Sequence, residues 1–279
     1  MTYSEICKAF YDAGIDSPEW DAQLLIGHFC GASSLEILGE PNREWSEPSL
    51  EQAVERRRRR EPLQYLLGTW EFYRQTYEVS PACLVPRSDT EILVEEAIKR
   101  LPQGAFFADL CTGSGCIAIS VLAERKDTRS LAVELSEEAL DLAKRNADRN
   151  GVAPRFCGVL GDVLAETPSF AEAYPKPDAI FSNPPYIPTE VLETLGPEVR
   201  QEPRMALDGG EDGLIFYRKL LRLAERWLQP NGFCLFEIGY DQGEALVALA
   251  AQHGFSCTVK KDFGGCDRAA ICTPMTSNA

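Results

Sequence analysis

AFFADLCTGSGCIAISVLAER, residues 105–125, falls into three pieces: a short apolar run, a turn with two glycines, and an apolar run of helical character. A run of six apolar and small residues that stops at glycines is a buried strand, and the run beyond the glycines opens a helix. Gly113 and Gly115 permit a tight turn and let the backbone approach a ligand closely at that helix's N-terminus. The spacing is not G-x-G-x-x-G, because Ala118 stands three residues after Gly115. A compact nucleoside is therefore favoured over a dinucleotide with its pyrophosphate.

The same alternation continues outward. SLAVEL is read as a strand and SEEALDLAKRNADRNG as a helix with Ser136 as cap, Glu137 and Glu138 in the first turn, Arg149 near the end and Gly151 beyond it. Each placement suits the helix dipole and its unpaired backbone groups. RFCGVL, DAIFSN and GFCLFEIG are further strands, and GLIFYRKLLRLAERWL and GEALVALAAQHG are helices. Two closing strands are read in SCTVKKDF and RAAICTP. Such alternation predicts an α/β fold with a mainly parallel, doubly wound sheet and helices on both faces.

The first seventy residues differ. Tyr3, Ile6, Cys7, Phe10 and Tyr11 recur at helical spacing, Ser17-Pro18-Glu19 opens a helix that stops at Gly31, and Ser46-Glu47-Pro48 opens another. The predicted organisation is a helical domain over residues 1–72, a β-hairpin linker over 73–88 and the α/β domain over 89–279. At 279 residues the chain has room for both.

Ligands of doubly wound sheets bind beyond the carboxyl ends of the strands, so the chemistry is sought there. The first strand ends in Cys111, Thr112, Gly113, Ser114 and Gly115. The second ends at Glu134, twenty-one residues after Gly113, where a carboxylate can accept from both ribose hydroxyls. The third leads to Asp162, placed for an adenine amino group, and to the apolar Val163. In order, these three describe a pocket for S-adenosyl-L-methionine, which leaves as S-adenosyl-L-homocysteine.

The fourth strand ends in SNPPYI, residues 182–187. Asn183 is held extended by the proline after it, and Pro184 and Pro185 offer carbonyls without N–H groups. A rim rich in acceptors matches a planar –NH2 group. The Asn183 oxygen and the Pro184 carbonyl can take its two hydrogens while Tyr186 packs on the flat group. Asn183, Pro184 and Tyr186 are thus the candidate catalytic residues, and Asn183 to Tyr186 the candidate substrate site. The reaction read from this rim is direct methyl transfer from a sulfonium to nitrogen. No conventional base is evident, since His28 and His253 are read as structural or surface residues.

The net charge of −15 disfavours stable binding to nucleic acid. The one basic block, Arg56 to Arg60, points all round a helix, and residues 1–78 still carry 8 basic against 14 acidic side chains. Ten scattered cysteines without a C-x-x-C pair are read as reduced thiols, with no metal site. No signal peptide, transit peptide or membrane-length run is apparent, so a cytoplasmic protein with no membrane partner is expected.

With DLCTGSG, VELS, GD and SNPPYI in order, the chain resembles class I methyltransferases acting on amino groups. EPLQYLLGTWEFY (Glu61 to Tyr73), VPRSDTEILVE (Val85 to Glu95), QEPRMALDGGEDGL (Gln201 to Leu214) and EIGYDQGE (Glu237 to Glu244) make it similar to the release-factor glutamine methyltransferases, the HemK/PrmC family. The resemblance covers nearly the whole chain. It implies a Rossmann-like, seven-stranded mixed sheet and an enzyme that methylates the glutamine side-chain amide in the Gly-Gly-Gln motif of peptide chain release factors, in translation termination. It also implies a substrate-recognising helical domain and a monomer. It carries the cofactor contacts onto Cys111 to Gly115, Glu134, Asp162 or Val163, and Asn183, and the glutamine site onto Asn183 to Tyr186. Cys111 stands where the family usually has glycine, Glu134 where aspartate is commoner, Ser88 for a proline and Cys266 for an arginine. Two other readings stand beside it: an amino-methyltransferase of DNA or RNA bases, and a non-catalytic cofactor-binding scaffold on the translation machinery. The long segment from Ile187 to about Glu211 is read as a substrate-facing lid or a passive excursion.

Overall fold

In the computed structural model, which describes residues 1–262 and 264–275, the chain begins with five helices. They are α1 (Tyr3–Asp12), α2 (Pro18–Cys30), α3 (Ser34–Gly39), α4 (Pro48–Arg58) and α5 (Leu63–Leu67). Thr2 and Glu5 form a reciprocal cap on α1, as Ser33 and Glu36 do on α3. Ser17 precedes α2 but makes no capping hydrogen bond. Its φ of −128° and ψ of 62° are not the extended conformation that aims a hydroxyl at the first-turn amides. Gly31 ends α2 in the left-handed region, at φ 66°. Ile6, Phe10, Leu25, Ile26 and Leu50 are fully buried and form this unit's core. The unit comprises Met1–Thr69 together with Leu195–Gln201, a segment the sequence reading assigns to the α/β domain.

A two-stranded pair comes next, β1 (Thr69–Phe72) and β2 (Gln75–Glu78). The linker expected at 73–88 thus begins earlier, and 79–87 is not strand. Its turn residues, Tyr73 and Arg74, sit at φ 42° and 65°. Neither is glycine or asparagine, so the turn carries no sequence mark. Pro81 and Pro86 then prevent a longer ladder.

The second unit, Trp70–Thr194 with Glu202–Ala279, holds the rest. In order come α6 (Glu91–Arg100), β3 (Phe106–Leu110), α7 (Cys116–Glu124), β4 (Arg129–Glu134), α8 (Glu137–Arg149), β5 (Phe156–Leu160), α9 (Ser169–Ala173) and β6 (Ala179–Ser182). After the long segment come α10 (Ile215–Trp227), β7 (Phe233–Glu237), α11 (Gly243–Gln252), β8 (Phe255–Lys261) and β9 (Asp267–Pro274). The seven-stranded sheet has the order β5-β4-β3-β6-β7-β9-β8. The first five strands are parallel, and β9 pairs antiparallel with both β7 and β8. The final residue expected in the β8 run, Phe263, lies outside the described residues, as do 276–279.

Alternation along the strands divides the core. Phe107, Ala132, Phe181 and Leu235 pack with residues of α6, α7 and α8, whereas Ala108, Leu131, Ile180 and Phe236 pack with α10 and α11. Both faces are covered, which is why these strands read as continuous apolar runs. Strand order reverses between β3 and β6, and a ligand crevice is expected outside that point. None of the ten cysteines is in a disulfide. Among the described residues no helix is long and apolar enough to cross a membrane, and no side-chain cluster could hold a metal.

Candidate active site

The turn after β3 is built on a buried acid. Asp109 Oδ2 accepts from the Thr112 hydroxyl at 2.6 Å and from Ala118 N at 3.3 Å, clamping both ends of the turn. Burial pushes its carboxyl up to about 7, against the pull of those two bonds. Cys111 sits at φ 60°, in the region glycine prefers, and burial pushes its thiol up. Gly115 caps α7 at φ 82°. A Cβ there would lie 2.7 Å from Ile119 Cδ1 and 3.2 Å from Ala143 Cβ, so a side chain would have to displace both and hold a strained backbone. Asn146, fully buried on α8, donates to Ser114 O at 3.0 Å and exchanges bonds with the Glu78 backbone.

Glu134, at the end of β4, receives Gly113 N on Oε2 at 2.8 Å and the N–H groups of Leu135 and Ser136 on Oε1 at 2.9 and 3.0 Å. A carboxylate offers about four acceptor positions, so roughly one remains free for a ligand rather than the two expected. Asp162 accepts from Leu164 N through Oδ1, and Val163 is buried beside it.

These strand ends surround one pocket. Cys111, Thr112, Gly113, Ser114, Glu134, Asp162, Val163, Asn183 and Pro185 all line it. Gly115, Pro184 and Tyr186 do not: Gly115 closes on α7 and α8, Pro184 is buried, and Tyr186 turns its hydroxyl toward Glu237 Oε1 at 3.3 Å.

The tetrad Asn183 to Tyr186 is held from several sides. Ser182, fully buried, donates to Leu110 O at 2.6 Å and fastens the end of β6 to β3. Gln242 Nε2 donates to Tyr186 O at 2.9 Å. Gly209 packs so closely that a Cβ would lie 2.7 Å from Tyr186 Cα. Asn183 Nδ2 donates to Thr90 Oγ1 at 3.4 Å. Glu237 is 2% exposed, and its carboxyl is raised to about 7 by burial, with Thr90, Arg268 and Tyr186 drawing it down and Asp89 raising it.

The long segment is not a free excursion. Ile187 N donates to Leu207 O, and Gly209 N to Ile187 O, closing its two ends on each other. Glu202 is buried, accepts from Val85 N at 3.0 Å and pairs with Arg87, two residues of the pocket wall. Thr90, Glu202 and Glu237 carry no motif signal by themselves; each lies within one of the blocks that mark the family resemblance.

The arginine block is taken up within the helical unit. Arg57 pairs with Asp21 and Glu198, Arg60 with Glu198, Arg56 with Glu61, and Arg58 and Arg59 with Glu55. His253 pairs with Glu225, and the His28 ring meets Phe29 edge-on.

Residues 3–68 match a family model described as the PrmC N-terminal domain, and residues 97–209 one described as a precorrin methyltransferase domain. A release factor glutamine methyltransferase of Geobacter sulfurreducens is 44% identical over 218 residues, covering 77% of this chain and 74% of that protein. One of Caulobacter vibrioides is 41% identical over 267 residues, covering 93% and 91%. In fold, a methyltransferase from Pyrococcus furiosus is similar, with a TM-score of 0.52 at 20% identity over 71% of this chain and 89% of that one.

Proposed function

This chain belongs to the release factor glutamine methyltransferases, and from that premise we propose that its pocket holds S-adenosyl-L-methionine and that Asn183 and Pro184 present the glutamine amide to it. The reaction is methyl transfer to the glutamine of peptide chain release factors. The single observation that carries the site assignment is that Asn183 and Pro185 line the same pocket as Gly113, Glu134 and Asp162.

The chain's own residues fit a nucleoside there. Among the described residues a Cβ on Gly113 would have only Cys83 Cβ within 4 Å, at 3.9 Å, so the backbone is open to close approach by a ligand. The remaining acceptor on Glu134 takes a ribose hydroxyl, and Asp162 Oδ2, which accepts from none of the described residues, takes the adenine amino group beside the apolar Val163. When bound, S-adenosyl-L-methionine supplies an electrophilic methyl carbon on sulfonium and leaves as S-adenosyl-L-homocysteine.

An amide nitrogen is a poor nucleophile, so position and polarisation supply the rate. Asn183 Oδ1 and the Pro184 carbonyl accept the two amide hydrogens, fixing the nitrogen and drawing electron density onto it. Among the described residues no donor of the chain occupies the Pro184 carbonyl, which supports this use. The proton is lost to solvent once the new N–C bond has formed. The helical unit serves recognition of the release factor, and the enzyme works in the cytoplasm as a monomer.

The test is incubation with methyl-labelled cofactor and purified release factor, followed by mass spectrometry of the Gly-Gly-Gln peptide. One methyl group on the glutamine side chain supports the reading. Label in RNA or DNA with none in the release factor overturns it.

A further inference from the structure

Cys234, Cys272 and Cys257 stand in one row across three neighbouring strands. Cys272 on β9 is the register partner of Cys234 on β7 and of Cys257 on β8. Residues directly opposite in antiparallel strands point to the same face, and all three pack in the core covered by α10 and α11. Opposite Cα atoms in such ladders lie about 4.5 or about 5.5 Å apart. A disulfide spans Cα atoms about 4.4–6.8 Å apart, so either pair is within its reach. The Cβ atoms must still close by about an ångström, from the spacing of an open ladder to that of a bridge.

The two pairs differ in whether they can make that closure. β7 is paired on both sides, to β6 and β9, and Cys234 is fully buried. β8 is the last strand of the sheet, and Cys257 on it is partly exposed. An edge strand moves toward its neighbour without pulling on a second ladder. Register is regular around the outer pair, and the bulge falls beyond it, between Lys260 and Lys261.

We propose that Cys257 and Cys272 form a reversible modification site, at which a hydroperoxide oxidises Cys257 and Cys272 captures it as a cross-strand disulfide. Cys257 releases its proton, and its sulfur attacks one peroxide oxygen. The O–O bond breaks, Cys257 becomes a sulfenic acid, and the other oxygen takes up a proton and leaves as water or alcohol. Cys272 sulfur then attacks the Cys257 sulfur. The S–O bond breaks, the S–S bond forms, and the hydroxyl leaves as water with the Cys272 proton. The two sulfurs have together given two electrons to one peroxide. The Cys257 thiol is drawn below its ordinary range, chiefly by the Cys272 thiol and against burial, which favours thiolate at the accessible end. A dithiol reverses the bond by attacking Cys257. Capture as a disulfide thus diverts Cys257 from sulfinic acid, which thiols do not reduce.

The experiment treats reduced, folded, full-length protein with graded hydrogen peroxide, blocks remaining thiols with N-ethylmaleimide and maps unreduced peptides by mass spectrometry. The exposed Cys157 and Cys266 report the oxidant's access to surface thiols. In the wild type a peptide linking Cys257 to Cys272 is expected to form at least about tenfold faster than any other intramolecular link, because the two sulfurs are already paired. Dithiothreitol then returns both thiols. Cys234→Ser should leave the rate within about threefold, since the inner pair takes no part. Cys272→Ser should leave Cys257 as a sulfenic acid that reacts with dimedone and passes to sulfinic acid as peroxide is raised. Should that variant fail to fold, the wild-type map decides alone. Three results overturn the proposal: no link between Cys257 and Cys272 at peroxide levels that oxidise Cys157 and Cys266, a faster link from Cys272 to Cys234, or a link that appears only in urea.

Discussion

Asp21 Oδ2 accepts a hydrogen bond from Arg57 Nε at 2.7 Å inside the helical unit, where the two side chains are only 8% and 7% exposed. Arg57 also donates to Glu61 O and Glu198 Oε1. The pair is not a simple gain: burial raises the Asp21 carboxyl despite the guanidinium beside it. Removing one partner strands the other in low dielectric. Asp21→Leu and Arg57→Met are each expected to cost about 2–4 kcal/mol, whereas the double variant Asp21→Leu with Arg57→Met costs less than the sum. Urea unfolding of the four proteins measures the coupling, and strict additivity would show that the pair carries none.

Asp109 and pH are linked through a group whose folded pKa, about 7, lies above its ordinary 3.8. Between those values the folded protein holds a proton that the unfolded chain has released. The group's stabilisation is therefore complete below the lower value and is lost as pH rises toward the upper one. Each tenfold change in proton affinity is worth roughly 1.4 kcal/mol, so the effect is of the order of a few kcal/mol. Asp109→Asn keeps an acceptor for Thr112 and Ala118 and removes the titration. Its thermal midpoint should fall less than that of the wild type between about pH 5 and about pH 8. Glu237, raised in the same direction, leaves part of the slope in the variant. Equal slopes in the two proteins would sink the assignment.

Cys111 offers a test in the opposite sense. At φ 60° it holds a conformation that costs a residue bearing a Cβ about 1 kcal/mol or more, so Cys111→Gly is expected to stabilise by about 0.5–1 kcal/mol. Cofactor affinity, measured by calorimetry, should stay within about fivefold, since the neighbouring Thr112 and Gly113 bonds are made by other atoms. A loss of stability would mean that the thiol's packing outweighs the backbone strain.

How far the sequence shows all this depends on the kind of signal. Strands such as Phe106–Leu110 and Ala179–Ser182 are buried on both faces, so they stand out as mainly apolar runs followed by glycine or proline, even with Asp109 inside the first. The same punctuation marks Gly113 and Asn183, which the fold brings to one pocket. Tyr73 and Arg74 turn the chain without turn residues, and that hairpin is therefore misplaced in a reading by composition. Arg57 is one of five arginines in a row, and nothing local says which of them is buried. Glu237 ends its strand as a solvent-facing acid would, and only the packing of Tyr186 and Arg268 around it shows an interior carboxylate. Interior polar groups are legible from their neighbours in space, which periodicity does not report.

Gly209 tests whether the tetrad's placement, separately from the cofactor pocket, sets the rate. Its Cα packs against the backbone of Tyr186, and a Cβ there would lie 2.7 Å from Tyr186 Cα and 2.8 Å from its carbonyl carbon. Both neighbours are backbone, so neither can swing aside, and Gly209→Ala must push the tetrad or the 207–213 turn away. Displacement by about an ångström at a reacting centre can cost on the order of a hundredfold in rate. The walls formed by Gly113, Glu134 and Asp162 hang from other strands and are untouched. Gly209→Ala should therefore lower kcat by at least about tenfold while cofactor affinity stays within about threefold. If both fall together, the turn supports the whole pocket and not the tetrad alone. If neither falls, the rim tolerates displacement, and positioning of the amide at Asn183 cannot be what limits the reaction.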